Sequence, residues 1–122
     1  MIAVFDTNIV IDYLNGEVQA KDTIEKYTQI AISVITYIEV MAGVKEVYKR
    51  EVEEFLNSFQ VLSFNEKMTS DIVKIKNTLK IKLPDAIILA TARKNKAVLV
   101  TRDFKDFSKN QKDIIIPYKL EN

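Results

Sequence analysis

Residues 2–8 read IAVFDTN, a short apolar run of β-forming residues that ends in Asp6 and two polar side chains. Such a run is typical of a buried strand. Asp6 or Thr7 can cap a helix that follows directly and stops at Gly16. A buried first strand that passes straight into a helix indicates an α/β domain.

The remaining sequence continues this alternation. Further strands are predicted at 30–35, 60–64, 97–101 and 113–117, and further helices at 17–29, 36–43, 45–59, 66–80 and 85–96. Pro84 lies at or just before the first turn of the last helix. We therefore expect an α/β fold over residues 1–122, with a central, mostly parallel sheet of about five strands flanked by helices.

The composition excludes several classes of enzyme. The chain has no His, no Cys and two Gly residues. Ser-His and Cys-His nucleophiles, His-based ribonucleases, P-loops and GxGxxG dinucleotide turns are therefore excluded. The apolar runs are too short to span a bilayer, and no signal peptide is visible, so we expect a cytoplasmic protein without a membrane partner.

Four acids, Asp6, Glu39, Asp85 and Asp103, stand where a predicted strand ends or a helix begins. Singly, Asp6 or Asp85 could be a helix cap and Asp103 a turn residue. Together they predict one site, because ligands bind beyond the carboxyl ends of parallel strands. Two carboxylates about 5 Å apart repel by roughly 3 kcal/mol at an effective dielectric of ~20, so the site needs a cation. Without His or Cys, a hard ion such as Mg²⁺ or Mn²⁺ fits best.

Charge is distributed unevenly along the chain. Residues 1–73 carry 6 basic and 12 acidic side chains, whereas residues 74–122 carry 12 basic and 5 acidic ones. A basic half beside an acidic metal site suits a phosphodiester polyanion. A solvated, lysine-rich surface explains the same asymmetry equally well.

Four segments carry a resemblance to a known family: FDTNIVIDYL (5–14), VITYIEV (34–40), LPDAIILATA (83–92) and LVTRDFKDF (99–107). They resemble the signature segments of PIN-domain ribonucleases, and the chain length resembles that of the VapC-type toxins of toxin–antitoxin pairs. The resemblance runs from Ile2 to Pro117 and implies a single PIN-like nuclease domain over residues 1–122.

The resemblance also implies roles for individual residues. Asp6, Glu39, Asp85 and Asp103 would be the catalytic acids, with Mg²⁺ or Mn²⁺ held by Asp6, Asp85 and Asp103. Relatives differ in whether the fourth acid matches Asp103 or Asp106; we favour Asp103, and Asp106 is the alternative. The supporting polar residues would be Thr7, Asn8, Thr101 and Asp106, and the candidates for contact with RNA phosphates are Lys82, Arg102 and Lys105.

The implied activity is metal-dependent hydrolysis of RNA by an endoribonuclease. If the chain is a toxin, the resemblance implies a cognate antitoxin and a homodimer. Candidate partner surfaces lie around Tyr37, Tyr48 and Phe55, although Phe55 could simply be core. A housekeeping RNA-processing nuclease and a non-catalytic scaffold that binds RNA or protein are the alternatives. A receiver domain or a haloacid-dehalogenase-like phosphatase fits poorly, because both need a different acid pattern after the first strand.

Overall fold

A single five-stranded sheet forms the centre of the computed structural model, which describes residues 1–103, 107 and 111–120. All four strand pairs are parallel, and the strand order is β3-β2-β1-β4-β5. The strands are β1 (Ile2–Phe5), β2 (Gln29–Ser33), β3 (Gln60–Leu62), β4 (Val98–Val100) and β5 (Ile114–Ile115). The predicted α/β fold with a parallel sheet is confirmed.

Helices connect these strands. They are α1 (Thr7–Leu14), α2 (Val18–Glu25), α3 (Val34–Gly43), α4 (Lys49–Leu56), α5 (Thr69–Leu79) and α6 (Leu83–Lys94). Short 3₁₀ turns at Glu46–Tyr48 and Glu66–Met68 lead into α4 and α5. The longest described helix, α6, has 12 residues, and no helix in the described part of the chain is long and apolar enough to cross a membrane.

Two hydrophobic cores cover the two faces of the sheet. Val4 of β1 packs into the core formed with α5 and α6, whereas Ala3 and Phe5 pack into the core formed with α1, α2 and α4. β1 is therefore buried on both faces, which explains why its sequence is apolar at every position.

β1 also lies at the middle of the sheet, since Ala3 is in register with Ile30 of β2 and with Val98 of β4. Parallel pairing on both sides brings the carboxyl ends of β1, β2 and β4 to one edge. The residues that follow these strands are therefore neighbours in space.

The boundary between β2 and α3 differs from the prediction. The strand ends at Ser33, and α3 begins at Val34 instead of Thr36. The Ser33 side-chain oxygen accepts a hydrogen bond from the Ile35 backbone N–H at 3.1 Å, so Ser33 caps the helix. This cap overrides the β-preference of Val34 and Ile35, and it places Glu39 in the second helical turn instead of the first.

Other boundaries shift by a few residues. α2 ends at Glu25, because Gln29 is already part of β2, and α6 begins at Leu83 with Pro84 inside its first turn. Pro is compatible with a first turn, where its missing N–H would have no partner within the helix.

Removing the cap of α3 tests its contribution to stability. Ser33→Ala should lower the free energy of unfolding by about 1 kcal/mol, because the Ile35 N–H loses its side-chain acceptor. Urea denaturation followed by circular dichroism measures the change. Ser63→Ala, an exposed loop position, is the matched control. Equal midpoints for the two variants would contradict the assignment of Ser33 as a stabilising cap.

Candidate active site at the carboxyl edge of the sheet

Four elements converge at the carboxyl edge of the sheet. Asp6 follows β1, and Thr101 and Asp103 follow β4. α3 starts directly after β2 and carries Glu39. α6 leads back into β4, so its first turn, with Asp85 as the third residue, starts from this same edge. The topology therefore brings all four predicted acids to one side of the domain.

Asp6 is the most buried of these acids, with 4 % of its surface exposed. One carboxylate oxygen accepts a hydrogen bond from the Thr7 backbone N–H at 2.8 Å. The other accepts from the Thr101 hydroxyl at 2.7 Å and from the Asn8 side-chain amide at 3.3 Å. These donors come from two segments of chain and hold the carboxylate in one orientation.

The electrostatic setting of Asp6 favours a positive charge beside it. Burial raises the pKa of Asp6 above its usual range, and the hydrogen bonds from Thr101 and Thr7 oppose that rise. The negative charges of Asp103 and Glu39 raise the pKa further, so both carboxylates lie close enough to repel Asp6. A cation among these three acids would relieve the repulsion and the cost of burial.

Thr7 connects Asp6 to the glutamate of α3. Its hydroxyl donates to a Glu39 carboxylate oxygen at 2.7 Å and lies 2.9 Å from the hydroxyl of Thr36. Thr36 is fully buried, whereas Glu39 is exposed. Thr36 was not among the predicted site residues. The signal that could have found it is a polar side chain one helical turn before Glu39 in an otherwise apolar segment.

The turn after β4 carries Asp103, which is partly buried. Its backbone N–H donates to the Thr101 hydroxyl oxygen at 3.1 Å. The same hydroxyl donates to Asp6, so a single threonine links the two acids. The alternative ligand Asp106 and the phosphate-contact candidate Lys105 lie outside the described residues.

The donor set fits a hydrated divalent ion. Among the residues that the structure describes, no three acidic side chains are close enough to ligate one ion in common. Mg²⁺ keeps several waters and is usually bound through one or two carboxylates, so it needs no such closed cage. Asp6, with Glu39 and Asp103 repelling it, offers oxygen ligands of the right chemistry. Asp85 adds a half-buried carboxylate at the start of α6.

Arg102 and Lys82 have different surroundings. The Arg102 guanidinium pairs with the buried carboxylate of Asp12, at 2.5 Å through Nε and 3.1 Å through Nη2. Lys82, the residue before α6, is exposed. Asp12 was not predicted as a site residue, although an acid inside the apolar helix NIVIDYL was a visible signal.

A groove of about 750 Å³ runs between α1, α3 and α4, with Glu39 in its wall. Tyr13 and Phe55 stack in this groove, with ring centroids 4.4 Å apart and 5° between the planes. The other apolar lining residues include Ile11, Leu14, Val40, Val44, Tyr48 and Val52. Of the predicted partner residues, Tyr48 and Phe55 line the groove, whereas Tyr37 packs against the core formed with α1, α2 and α4.

Comparison with known proteins identifies related sequences and structures. The PIN domain family model matches residues 3–113. Among solved structures, the chain is 38% identical to a chain of a toxin–antitoxin complex from Klebsiella pneumoniae, covering 97% of this chain and 99% of that one, with a TM-score of 0.90. No curated protein matches.

Two further solved structures are similar. VapBC-1 from nontypeable Haemophilus influenzae is 30% identical over 88% of this chain and 90% of that chain, with a TM-score of 0.73. VapBC2 from Rickettsia felis, bound to a DNA fragment from its promoter, is 26% identical over 94% and 96% of the two chains, also with a TM-score of 0.73.

The burial of Asp6 predicts that its charge destabilises the metal-free fold. Because its pKa is raised, the ionised carboxylate costs stability at neutral pH, and this cost disappears as the pH falls and the group takes up a proton. In EDTA at pH 7, Asp6→Asn should therefore unfold about 4 °C higher than the wild type, which corresponds to roughly 1 kcal/mol. The advantage should shrink toward acidic pH.

Thermal unfolding followed by circular dichroism measures this difference. Asp22→Asn, the same chemical change at an exposed position of α2, is the matched control and should leave the midpoint unchanged. A lower midpoint for Asp6→Asn at pH 7 would show that the hydrogen bonds to Asp6 outweigh the cost of burying its charge.

Proposed function

The chain belongs to the PIN domain family, and from this membership and its acidic site we propose that it is a metal-dependent endoribonuclease that hydrolyses RNA phosphodiester bonds. The observation that carries the proposal is the Asp6 carboxylate, buried at the end of the central strand and repelled by Asp103 and Glu39. A protein gains no stability from like charges gathered in this way. The arrangement is explained by a function that brings a cation to the site.

We assign Asp6, Asp85 and Asp103 to the binding of Mg²⁺ or Mn²⁺, directly or through waters that the ion carries, and Glu39 is the fourth catalytic acid. When bound, such an ion polarises a phosphoryl oxygen and acidifies water at neutral pH. Because such an ion would activate water, water is the proposed attacking group and no protein nucleophile is needed. A carboxylate oxygen of Asp85 or Asp103 would accept the proton that this water gives up, while the P–O bond opposite the water breaks and its oxygen leaves with a proton from solvent.

The neighbouring polar residues orient the acids for this work. Thr101, Asn8 and the Thr7 backbone direct their donors at the two Asp6 oxygens, which restrains the carboxylate before any substrate arrives. The Thr7 hydroxyl donates to Glu39 and so ties α3 to the start of α1. Preorganised ligands reduce the reorganisation that the reaction would otherwise require.

RNA would reach this edge past exposed basic side chains. Lys82 immediately precedes α6 and stands three residues before Asp85, so it is a candidate to hold a phosphate next to the cleaved bond. The excess of Lys and Arg in residues 74–122 would attract the polyanion from a distance. Cellular RNA as the substrate implies that the enzyme acts in the cytoplasm.

The proposed biological role is that of a VapC-type toxin held inactive by an antitoxin. Support comes from the similarity to chains of toxin–antitoxin complexes. The groove between α1, α3 and α4 would receive an apolar segment of the antitoxin, in the way that an amphipathic helix fills a hydrophobic groove. A basic antitoxin side chain at the Glu39 end of this groove would compete with the metal. We also propose that the chain forms a homodimer.

Metal-dependent cleavage is the direct test of the proposed activity. Purified protein should cut RNA in Mg²⁺ or Mn²⁺ and stop when EDTA is added. Asp6→Asn and Asp85→Asn should each lower the rate more than about 100-fold, because each removes a charge from the site. A labelled RNA mixture resolved on denaturing gels measures the rate, and Asp22→Asn should retain wild-type activity.

Three outcomes would defeat the proposal. Cleavage that survives EDTA would show that the reaction does not need a divalent ion. Cleavage that survives either substitution would show that the substituted acid does not take part in the reaction. Tight RNA binding without cleavage under any of these conditions would instead identify a scaffold.

A further inference from the structure

Asp12 is a buried acid that the proposed chemistry does not use. It lies on α1, and 3 % of its surface is exposed. Its carboxylate accepts from Arg102 at 2.5 and 3.1 Å and from the Tyr118 hydroxyl at 2.8 Å. A buried carboxylate is tolerated when its charge is paired and its oxygens are hydrogen-bonded, and Asp12 meets both conditions.

Two residues of α1 hold Arg102. The Arg102 backbone N–H donates to the Asn8 side-chain oxygen at 3.3 Å, and its guanidinium pairs with Asp12. Asn8 and Asp12 are four residues apart on the helix, so they lie one above the other on the same face. Both the main chain and the side chain of Arg102 are therefore held by residues one turn apart on α1.

Arg102 lies in the chain between Thr101 and Asp103, two residues of the acidic site. Thr101 precedes Arg102 and donates to Asp6, while Asp103 follows it and donates its N–H to Thr101. Displacement of Arg102 would therefore move both the donor to Asp6 and the acid that repels Asp6. The position of Asp103 relative to Asp6 depends on a contact outside the site itself.

Tyr118 adds the C-terminal segment to this arrangement. Its ring packs against the core formed with α1, α2 and α4, and its hydroxyl points to Asp12. Burial, followed by the Asp12 carboxylate, raises the pKa of Tyr118, so the hydroxyl stays protonated and keeps donating. The segment after β5 consequently supports the turn after β4 through a shared carboxylate.

We propose that Asp12, Arg102 and Tyr118 form a positioning cluster that fixes Asp103 relative to Asp6 and thereby sets the affinity of the acidic site for its divalent ion. The proposal rests on the proposed function for its metal and goes beyond it in assigning Arg102 to Asp12 rather than to an RNA phosphate. Partners that orient metal ligands from outside the site commonly change metal affinity or activity by about 10- to 100-fold when they are removed.

Mn²⁺ binding, measured by electron paramagnetic resonance, tests the cluster without RNA. Asp12→Asn should weaken Mn²⁺ binding about 10-fold or more, and Tyr118→Phe, which keeps the ring in the core, should weaken it less but in the same direction. Asp22→Asn is the matched control and should bind Mn²⁺ like the wild type. Tyr118→Phe keeps the test decisive if Asp12→Asn does not fold.

Amide hydrogen exchange, measured by NMR in EDTA, supplies a readout that needs neither metal nor activity. In Asp12→Asn, exchange should accelerate at the N–H groups of Arg102 and Asp103, both of which are hydrogen-bonded in the wild type.

In RNA cleavage, Asp12→Asn should lower kcat and leave KM unchanged, as expected when a positioning contact is lost.

Arg102→Gln separates positioning from phosphate contact. A glutamine loses both the charge and the paired contact with Asp12, so Mn²⁺ binding should weaken, whereas the salt dependence of RNA binding should stay the same because Arg102 contacts no phosphate. A salt slope lower by about 1 would identify a phosphate contact and overturn the proposal.

Unchanged Mn²⁺ affinity together with unchanged amide exchange in Asp12→Asn would likewise overturn the proposal. A wild-type protein that neither binds Mn²⁺ nor cuts RNA would defeat the proposed function. In that case, accelerated exchange at Arg102 and Asp103 would still support the positioning of the turn by Asp12.

Discussion

The carboxylate of Asp6 is the constraint on which the rest of the site depends. It directly follows β1, a strand that is buried on both faces, and 4 % of the Asp6 surface is exposed. Its negative charge is therefore buried. The Thr7 backbone N–H, the Asn8 amide and the Thr101 hydroxyl all donate hydrogen bonds to this carboxylate. A buried anion with fixed donors and acidic neighbours is arranged to receive a cation.

Fold and site share their residues. Asp6 also caps α1, and Thr101 follows the last residue of β4. Because the same contacts hold the helix, the strand ends and the acids, the fold and the site depend on each other.

The sequence predicted much of the fold because its strands are continuous apolar runs and its helices have apolar stripes. It was less accurate where local contacts decide a boundary. Ser33 ends β2 and starts α3 by capping, although Val34 and Ile35 favour a strand. The acids at the strand ends could be found from the order of elements alone. The pairing of Asp12 with Arg102 could not, because it depends on which side chains of α1 and of the turn after β4 face each other in three dimensions.

What the sequence determined by itself is the alternation of strands and helices, the exclusion of His and Cys chemistry, and the position of Asp6, Asp85 and Asp103 near element boundaries. Only the tertiary structure decided which of those side chains are buried, which of them repel Asp6, and that the Arg102 guanidinium pairs with the Asp12 carboxylate. The physical reason is that burial and charge pairing depend on three-dimensional neighbours, and a parallel sheet takes those neighbours from distant parts of the chain.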